Sequence, residues 1–183
     1  MTKQELRKQI KAILQTHQPF FESESFRICK NIVSSDYYQN AQIILCYMAL
    51  PDEVNLFQII LQSQNDKKKI FLPKVQTRTT NMDFFEITKN ISLTKGSFGI
   101  LEPDSSSTPF DFKDYQNENI LILVPGRAFS KNGERLGRGK GYYDTYLKNK
   151  LRNCISAGVC FPFQIVNEIP VEPHDLKMDF MFY

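Results

Sequence analysis

The chain has 183 residues, of which 42% are hydrophobic and 23% are charged. These fractions are near ordinary globular values, which excludes a wholly disordered chain, and the length indicates one domain. The 23 Lys and Arg residues exceed the 20 Asp and Glu residues only slightly, and the net charge of +3 is too small for a dedicated nucleic-acid binder.

The cysteines and histidines do not have the spacing of a structural zinc site. The four cysteines form no C-x-x-C pair, and the chain has only two histidines. The first 14 residues are charged throughout, unlike a secretory signal, and the longest apolar stretch is far shorter than the roughly 20 residues of a membrane span. We therefore expect a soluble cytoplasmic protein with reduced thiols that neither spans a membrane nor is a dedicated nucleic-acid binder.

The first predicted element is an amphipathic helix at the N-terminus. Thr2 and Glu5 have the spacing of a capping box, and apolar residues at positions 6, 10, 13 and 14 form one stripe. Lys3, Arg7 and Lys11 recur every four residues beside that stripe. Such a basic ridge is either a solvated face of the helix or a contact for an anion.

Helices and strands alternate along the rest of the chain. Helices are predicted over residues 25–34, 54–62 and 142–151, and strands over residues 41–50, 69–73, 82–87, 120–124 and 155–161. The runs 41–50 and 120–124 are continuously apolar, as in strands buried on both faces. The pattern predicts an α/β fold: a three-layer αβα domain with a mainly parallel, Rossmann-like sheet. The polar stretch 88–119 is predicted to be a long irregular excursion within that single domain, residues 1–183.

The segment after the strand at 120–124 has the composition of an anion-binding loop. Four of the eight glycines and three basic residues are interleaved there: Gly133, Arg135, Gly137, Arg138, Gly139, Lys140 and Gly141. Glycine lets backbone N–H groups approach an anion, and a helix starting at 142 would direct its positive end toward the loop. The loop matches neither the P-loop nor the dinucleotide fingerprint, because Glu134 and Tyr142 stand where those motifs need glycine. A flexible hairpin is the structural alternative.

Charge and flexibility suggest how this loop behaves without a ligand. Three neighbouring cations repel one another, and glycines cost conformational entropy to fix, so we expect the loop at 133–141 to be mobile until an anion binds. Asp144 lies near the predicted helix start, where it is either a carboxylate stabilised by the helix dipole or a ligand of Mg²⁺ beside a phosphate. Asp175 and Asp179 are both candidates for a second carboxylate.

The loop and its flanks resemble the 5-formyltetrahydrofolate cyclo-ligase family. That family carries a Pro-Gly-x-x-Phe stretch followed by Arg-Leu-Gly-x-Gly-x-Gly-Tyr-Tyr-Asp, and here the two stretches stand at residues 125–129 and 135–144. The other matching residues, in order, are Lys3, Arg7, Met48, Glu53, Pro73, Lys74, Phe98, Gly99, Ile100, Glu102, Pro103, His174 and Asp175. Arg127 and Ser130 depart from the family, which often has Leu and Asp there, so the resemblance assigns them no role.

The resemblance implies an ATP- and Mg²⁺-dependent ligase of one-carbon metabolism. Such an enzyme converts 5-formyltetrahydrofolate to 5,10-methenyltetrahydrofolate through a phosphorylated imidate and releases ADP and phosphate. Two other functions remain open from the residues alone. One is a non-catalytic polyanion- or RNA-binding module, and the other is a sugar-phosphate enzyme on a related α/β scaffold.

The resemblance also implies a role for each residue at a matching position. The catalytic residues would be Lys140, Arg138 and Tyr142. The ATP-binding residues would be Lys3, Arg7, Arg135, Leu136, Gly137, Arg138, Gly139, Lys140, Gly141, Tyr142 and Tyr143. The folate-binding residues would be Met48, Glu53, Lys74, Arg138, Gly139, Lys140, Gly141 and Tyr142. Asp144 and Asp175 would hold Mg²⁺. Without the resemblance, Met48 is better interpreted as a core residue and Lys74 as a solvated cation at a strand end, whereas Glu53 is equally well interpreted as an exposed acid at a helix start.

Overall fold

A six-stranded sheet with strand order β11-β9-β6-β1-β2-β3 lies at the centre of the fold in a computed structural model. The structure describes residues 1–76, 79, 81–88, 93–96, 101–103 and 107–183. The helices are α1 (Lys3–His17), α2 (Phe21–Ser34), α3 (Asp36–Asn40), α4 (Phe57–Asn65) and α5 (Tyr142–Leu147). The strands are β1 (Ile43–Leu45), β2 (Lys69–Val75), β3 (Met82–Ile87), β4 (Leu93–Lys95), β5 (Leu101–Pro103), β6 (Ile120–Pro125), β7 (Ala128–Ser130), β8 (Arg135–Leu136), β9 (Cys154–Val159), β10 (Ile165–Val166) and β11 (Phe180–Phe182).

The central sheet is parallel except for β3, which runs antiparallel to β2. Its inner strands are buried on both faces: Ile43 packs into one apolar cluster, and the next residue, Ile44, packs into the other. Helices α1, α2 and α4 cover the face that carries Ile44, whereas α5 and a 3₁₀ turn, Phe112–Tyr115, lie on the opposite face. The predicted α/β fold with a mainly parallel sheet is therefore confirmed, and its second helical layer is thin.

Some elements are shorter than the sequence pattern predicts. Strand β1 pairs with both neighbours only over Ile43–Leu45, and of the apolar residues that follow it Cys46 still donates its backbone N–H to the Phe71 carbonyl at 2.9 Å. Helix α5 ends at Leu147 instead of continuing to residue 151. Helix α4 begins three residues later than predicted, because the Asn55 side chain accepts a hydrogen bond from the backbone N–H of Phe57 at 3.0 Å. Apolar content alone does not show where a strand or a helix ends.

The stretch 88–119 is partly ordered by strand pairing. Strands β4 and β5 form an antiparallel hairpin, and the backbone N–H of Phe110 donates to the carbonyl of Phe84 at 2.8 Å. The described part of this stretch therefore contains paired strands, and the irregular excursion over 88–119 as a whole stays a prediction. Residues 98–100, which carry part of the family resemblance, lie outside the described residues. Among the described helices, none is both long enough and apolar enough to cross a membrane.

The N-terminal helix has the predicted cap and orientation. The Thr2 hydroxyl accepts from the backbone N–H of Glu5 at 3.2 Å, and the Glu5 carboxylate accepts from the backbone N–H of Thr2 at 2.7 Å. Leu6, Ile10 and Leu14 are buried against the sheet. Because that stripe faces inward, the first turns of the helix are held beside the carboxyl ends of the strands.

We predict that Ile10→Ala destabilises the protein by about 2–5 kcal/mol, because Ile10 is fully buried and its truncation leaves a cavity. Urea denaturation followed by circular dichroism measures this. Lys8→Ala, an exposed change on the same helix, is the matched control and should stay within about 0.5 kcal/mol of the parent. Equal stability of the two variants would show that α1 is not anchored through this stripe.

Candidate active site

A cavity of about 880 Å³ opens at the carboxyl ends of the central strands. The chain proceeds from β1 to β2 in one direction across the sheet and from β6 to β9 in the other, so the connections diverge between β1 and β6. Segments that follow these two strands, including Tyr47, Met48 and Gly126, line the cavity. Open α/β sheets commonly bind ligands at such a switch point.

The cavity has an apolar and a basic set of lining residues, which come from different elements. The strands and the segments that follow them contribute mostly apolar side chains: Met48, Pro73, Val75, Met82 and Pro125. Helix α1 and the loop at residues 133–141, which we call the glycine loop, contribute most of the cations: Lys3, Arg7, Arg135, Arg138 and Lys140. A ligand with an apolar ring system and an anionic group would find a suitable surface for each.

All of the predicted site residues line this cavity except Lys74 and Asp179, the alternative second carboxylate, which accepts from Ser156 and pairs with Lys150 instead. Pro73 and Val75 do line it, and side chains alternate between the two faces along strand β2. The Lys74 amino group instead donates to the carbonyl of Pro103 at 3.4 Å. The structure therefore does not support the expected contact of Lys74 with a folate.

The glycine loop is a connection with three left-handed glycines. Gly133, Gly139 and Gly141 have φ angles of 82°, 103° and 72°, which residues with a side chain rarely adopt. Gly141 is the N-terminal cap of α5 and has no side-chain cap, so the first N–H groups of the helix have no side-chain acceptor there. Because α5 has only six residues, the positive charge of the loop comes mainly from side chains.

Arg135 is buried and connects the glycine loop to the end of β6 and to the start of α5. Its guanidinium donates to the Asp144 carboxylate at 2.7 Å and to the Pro125 carbonyl at 3.3 Å, and only 5% of the side chain is exposed. The guanidinium carbon also lies 5.7 Å from the centre of the Tyr143 ring. Arg135 thus stabilises the conformation of the loop through buried contacts, although the sequence pattern suggested only a contact with a phosphate.

Arg138 is neutralised by two carboxylates across the cavity. Its Nε and Nη2 atoms lie 2.9 Å from Oε1 of Glu53, and Nη2 also donates to Asp52. Glu53 is fixed in turn by the backbone N–H of Leu50, which donates to its other carboxylate oxygen at 3.0 Å. Burial by itself raises the pKa of Asp52, but the hydrogen bonds and charges of Arg138 and Arg127 outweigh it, so the pKa lies below its usual value.

Lys140 is an exposed cation of the loop. In the part of the chain that the structure describes, its amino group makes no hydrogen bond or ion pair. Since Arg135 and Arg138 both have acidic partners, the three loop cations do not form the repelling cluster that the sequence suggests. The physical reason for a mobile loop is therefore weaker than expected, and its mobility stays a prediction.

Helix α1 contacts the glycine loop and a C-terminal segment. The Nε atom of Arg7 donates to the Gly137 carbonyl at 2.8 Å, and the Lys3 amino group lies 2.7 Å from Asp175. Burial raises the pKa of Asp175, but hydrogen bonds from Lys3 and the Glu172 backbone outweigh it, so the pKa is lower than usual. These contacts place both predicted α1 cations at the cavity.

Two carboxylates predicted to hold a metal both line the cavity, and each has a cationic partner. Asp144 is paired with Arg135, and Asp175 is paired with Lys3. Among the described residues, one cluster of three side chains has its potential metal-ligating atoms within 4.8 Å of one another: Glu172, His174 and Asp175. Carboxylate oxygens are ligands that Mg²⁺ accepts, so Asp144 and Asp175 fit that ion chemically.

Several cavity residues have no signal in the sequence that marks them as functional. Tyr47 lies in a run that reads as a buried strand, and Met82 begins a predicted strand. Glu172 is close to the matching His174-Asp175 pair, and that proximity is the signal that could have identified it. Arg127 and Ser130, the two residues that depart from the family pattern, both make contacts within the protein. Arg127 pairs with Asp52, and the Ser130 hydroxyl accepts from the backbone N–H groups of Asn132 and Glu134.

Comparisons with known proteins agree with the geometry. The sequence model of the 5-formyltetrahydrofolate cyclo-ligase family matches residues 1–183. The 5-formyltetrahydrofolate cyclo-ligase of Mus musculus is 32% identical over 173 residues, which cover 87% of this chain and 82% of the relative. The enzyme of that name from Saccharomyces cerevisiae is 29% identical over 197 residues, which cover 97% and 93% of the two chains.

Solved structures show the same fold. An NMR structure of Aquifex aeolicus 5,10-methenyltetrahydrofolate synthetase has a TM-score of 0.81 and 27% identity, and the match covers 100% of this chain and 89% of that one. A 5,10-methenyltetrahydrofolate synthetase from Mycoplasma pneumoniae has a TM-score of 0.76 and 23% identity, with 100% and 98% covered. The resemblance found in the sequence is confirmed, and the chain belongs to the 5-formyltetrahydrofolate cyclo-ligase family.

Proposed function

We propose that this cavity carries out the reaction of the family, the ATP-dependent conversion of 5-formyltetrahydrofolate to 5,10-methenyltetrahydrofolate with release of ADP and phosphate. The observation that carries the proposal is that one cavity is lined both by an apolar wall, formed by the side chains that follow the strands, and by the basic glycine loop. The wall suits the pterin and aminobenzoyl rings, and the loop suits a triphosphate. One cavity can therefore hold the formyl group next to the γ-phosphate.

The chemistry requires positioning and charge neutralisation. The formyl oxygen attacks the γ-phosphorus while the bond to the β-phosphate oxygen breaks, and ADP leaves. The anilino nitrogen then attacks the formyl carbon, its proton is lost, and the C–O bond breaks to release phosphate. Holding the reacting atoms in line and offsetting the charge on the phosphoryl group accounts for most catalysis of this kind.

No covalent nucleophile is needed for this sequence of steps. All four cysteines are buried, and burial raises the pKa of the Cys29 thiol to about 11. These thiols therefore remain protonated at neutral pH and are poor nucleophiles. Lys140, Arg138 and Tyr142 take the catalytic role by contacting the phosphoryl and formyl groups, and the exposure of Lys140 in the cavity supports this role.

The remaining cavity residues divide between the two substrates. Lys3 and Arg7 on α1, together with the loop residues from Leu136 to Tyr143, contact the triphosphate, whereas the buried Arg135 holds the loop through Asp144. Met48 packs against the folate rings, and the Glu53 carboxylate accepts hydrogen bonds from the pterin N–H groups. Glu53 suits this role because the Leu50 N–H holds its carboxylate in a fixed orientation.

Asp144 and Asp175 are the residues that would hold Mg²⁺. When bound, the ion neutralises charge on the phosphate oxygens. Arg135 and Lys3, which pair with these carboxylates, keep them oriented toward the cavity in the free protein. We further propose that the enzyme is a cytoplasmic monomer that binds no nucleic acid, although a related enzyme from Arabidopsis thaliana is named as mitochondrial.

Absorbance of the methenyl product tests the proposed function directly. The protein is mixed with 5-formyltetrahydrofolate, ATP and Mg²⁺, and we expect product that depends on all three. Turnover without ATP would favour another kind of enzyme. Strongly salt-dependent RNA binding without turnover would instead favour the nucleic-acid alternative.

We predict that Lys140→Ala lowers kcat about 100- to 1,000-fold without changing the melting temperature. The side chain is exposed and has no partner among the described residues, so its loss affects only the charge on the transferring phosphoryl group. Steady-state kinetics and thermal melting measure the two effects. Lys148→Ala, an exposed change just after α5, is the control. Unchanged kcat/KM for ATP in folded Lys140→Ala would remove Lys140 from the mechanism.

We predict that Asp144→Asn and Asp175→Asn each raise the Mg²⁺ concentration for half-maximal activity by about tenfold. Asp144→Asn should also lower the melting temperature, because Arg135 is buried and loses its charged partner. Metal titrations and thermal melts separate these effects, with the exposed change Glu168→Gln as the control. If Asp144→Asn lowers the melting temperature and leaves the Mg²⁺ titration unchanged, Asp144 acts only as the partner of Arg135.

A further inference from the structure

Four charged side chains form a continuous chain of ion pairs at the edge of the cavity. Arg127 donates to one oxygen of Asp52, and Arg138 donates to the other. Arg138 also contacts Glu53 at 2.9 Å. We name Arg138 and Glu53 the inner pair, because both line the cavity, and Arg127 and Asp52 the outer pair, because neither does.

The outer pair is anchored in two firmly hydrogen-bonded segments. The backbone N–H of Arg127 donates to the Leu136 carbonyl at 2.7 Å, and the buried Gln164 side chain donates to the Arg127 carbonyl at 2.9 Å. Asp52 lies in the turn that the Glu53 N–H closes on the Leu50 carbonyl at 3.0 Å. The chain of ion pairs therefore connects the β7–β8 hairpin to the turn that carries Glu53.

The charges of the four residues balance when all are present, and the loss of a single one leaves a net charge. Two guanidinium groups face two carboxylates, so the cluster is neutral. Without Arg127, the single guanidinium of Arg138 would be shared by two carboxylates, and the cluster would carry one net negative charge. That charge would lie beside a cavity whose proposed substrates are both anionic, and Arg138 would be held more firmly toward Asp52. Each effect opposes nucleotide binding.

We propose that Arg127 is a positioning residue that neutralises Asp52 and thereby leaves the charge of Arg138 available to Glu53 and to the phosphates. The proposal rests on the proposed function for the identity of the substrates. It gives a role to a residue at which this chain departs from the pattern of its family, where leucine is common. Arg127 acts through Asp52 and Arg138 and does not line the cavity.

Removing Arg127 alone and removing both charges of the outer pair test the proposal. We expect Arg127→Leu to raise the KM for ATP about three- to tenfold with less than a twofold change in kcat. The double variant Arg127→Leu with Asp52→Asn leaves only the neutral inner pair, so its KM should return to within about twofold of the parent. Asp52→Asn alone removes a negative charge and should lower the KM for ATP or leave it within twofold. The changes in KM should be smaller at high salt, because salt screens the partly exposed charges of Arg127, Asp52 and Arg138.

A purely structural role for Arg127 gives a different pattern. If Arg127 mattered only through packing, the double variant would be as impaired as Arg127→Leu, and both would melt at a lower temperature. That result, or a KM for ATP in Arg127→Leu equal to the parent's, would overturn the proposal. Lys131→Leu removes an exposed cation from the same hairpin and controls for net charge, so its KM should match the parent's.

The parent protein separates this proposal from the proposed function. If the folded parent forms no methenyl product, the proposed function fails. If the parent turns over and Arg127→Leu is unaffected, only the role of Arg127 fails. Calorimetric titration with MgATP in the absence of folate adds a readout that does not depend on turnover. We expect the dissociation constants for MgATP to follow the same order as the KM values, and an order unrelated to the variants' charges would also overturn the proposal.

Discussion

The buried ion pair of Arg135 and Asp144 is the contact on which the geometry of the site depends. Arg135 lies in β8, near the beginning of the glycine loop, and Asp144 lies in the first turn of α5, just after the loop. The pair therefore connects the two segments across the loop. The same guanidinium reaches the Pro125 carbonyl at the end of β6. A buried guanidinium without a carboxylate would be strongly unfavourable, so this pair holds Arg135 to the start of α5.

The close packing of Arg135 explains one glycine of the loop. A Cβ atom at Gly137 would lie 2.9 Å from a terminal nitrogen of Arg135, which is closer than such atoms normally approach. Glycine is needed at Gly139 and Gly141 for a different reason, because their φ angles are positive. The glycine-rich pattern thus reflects both the packing of a buried cation and the conformation of the backbone.

Most cations of the cavity are already paired in the free protein. Lys3, Arg135 and Arg138 all contact carboxylates, whereas Lys140 does not among the described residues. Pairs with exposed members contribute little stability, and the side chains of Arg138 and Asp52 are 34% and 31% exposed, so Arg138 can exchange Asp52 for a phosphate at small cost. Arg135 is too buried for such an exchange. The loop therefore combines a fixed support with cations that are free to rearrange around a ligand.

The amino-acid sequence alone determined the alternation of helices and strands, the capping box at Thr2 and Glu5, and the glycine-rich loop after a buried strand. These features follow from local periodicity and composition, which act over a few residues. Only the tertiary structure decided that Lys74 faces away from the cavity and that Arg127 reaches Asp52, 75 positions away in the chain. The partner of a charged side chain depends on how distant segments pack, and no local pattern encodes that distance.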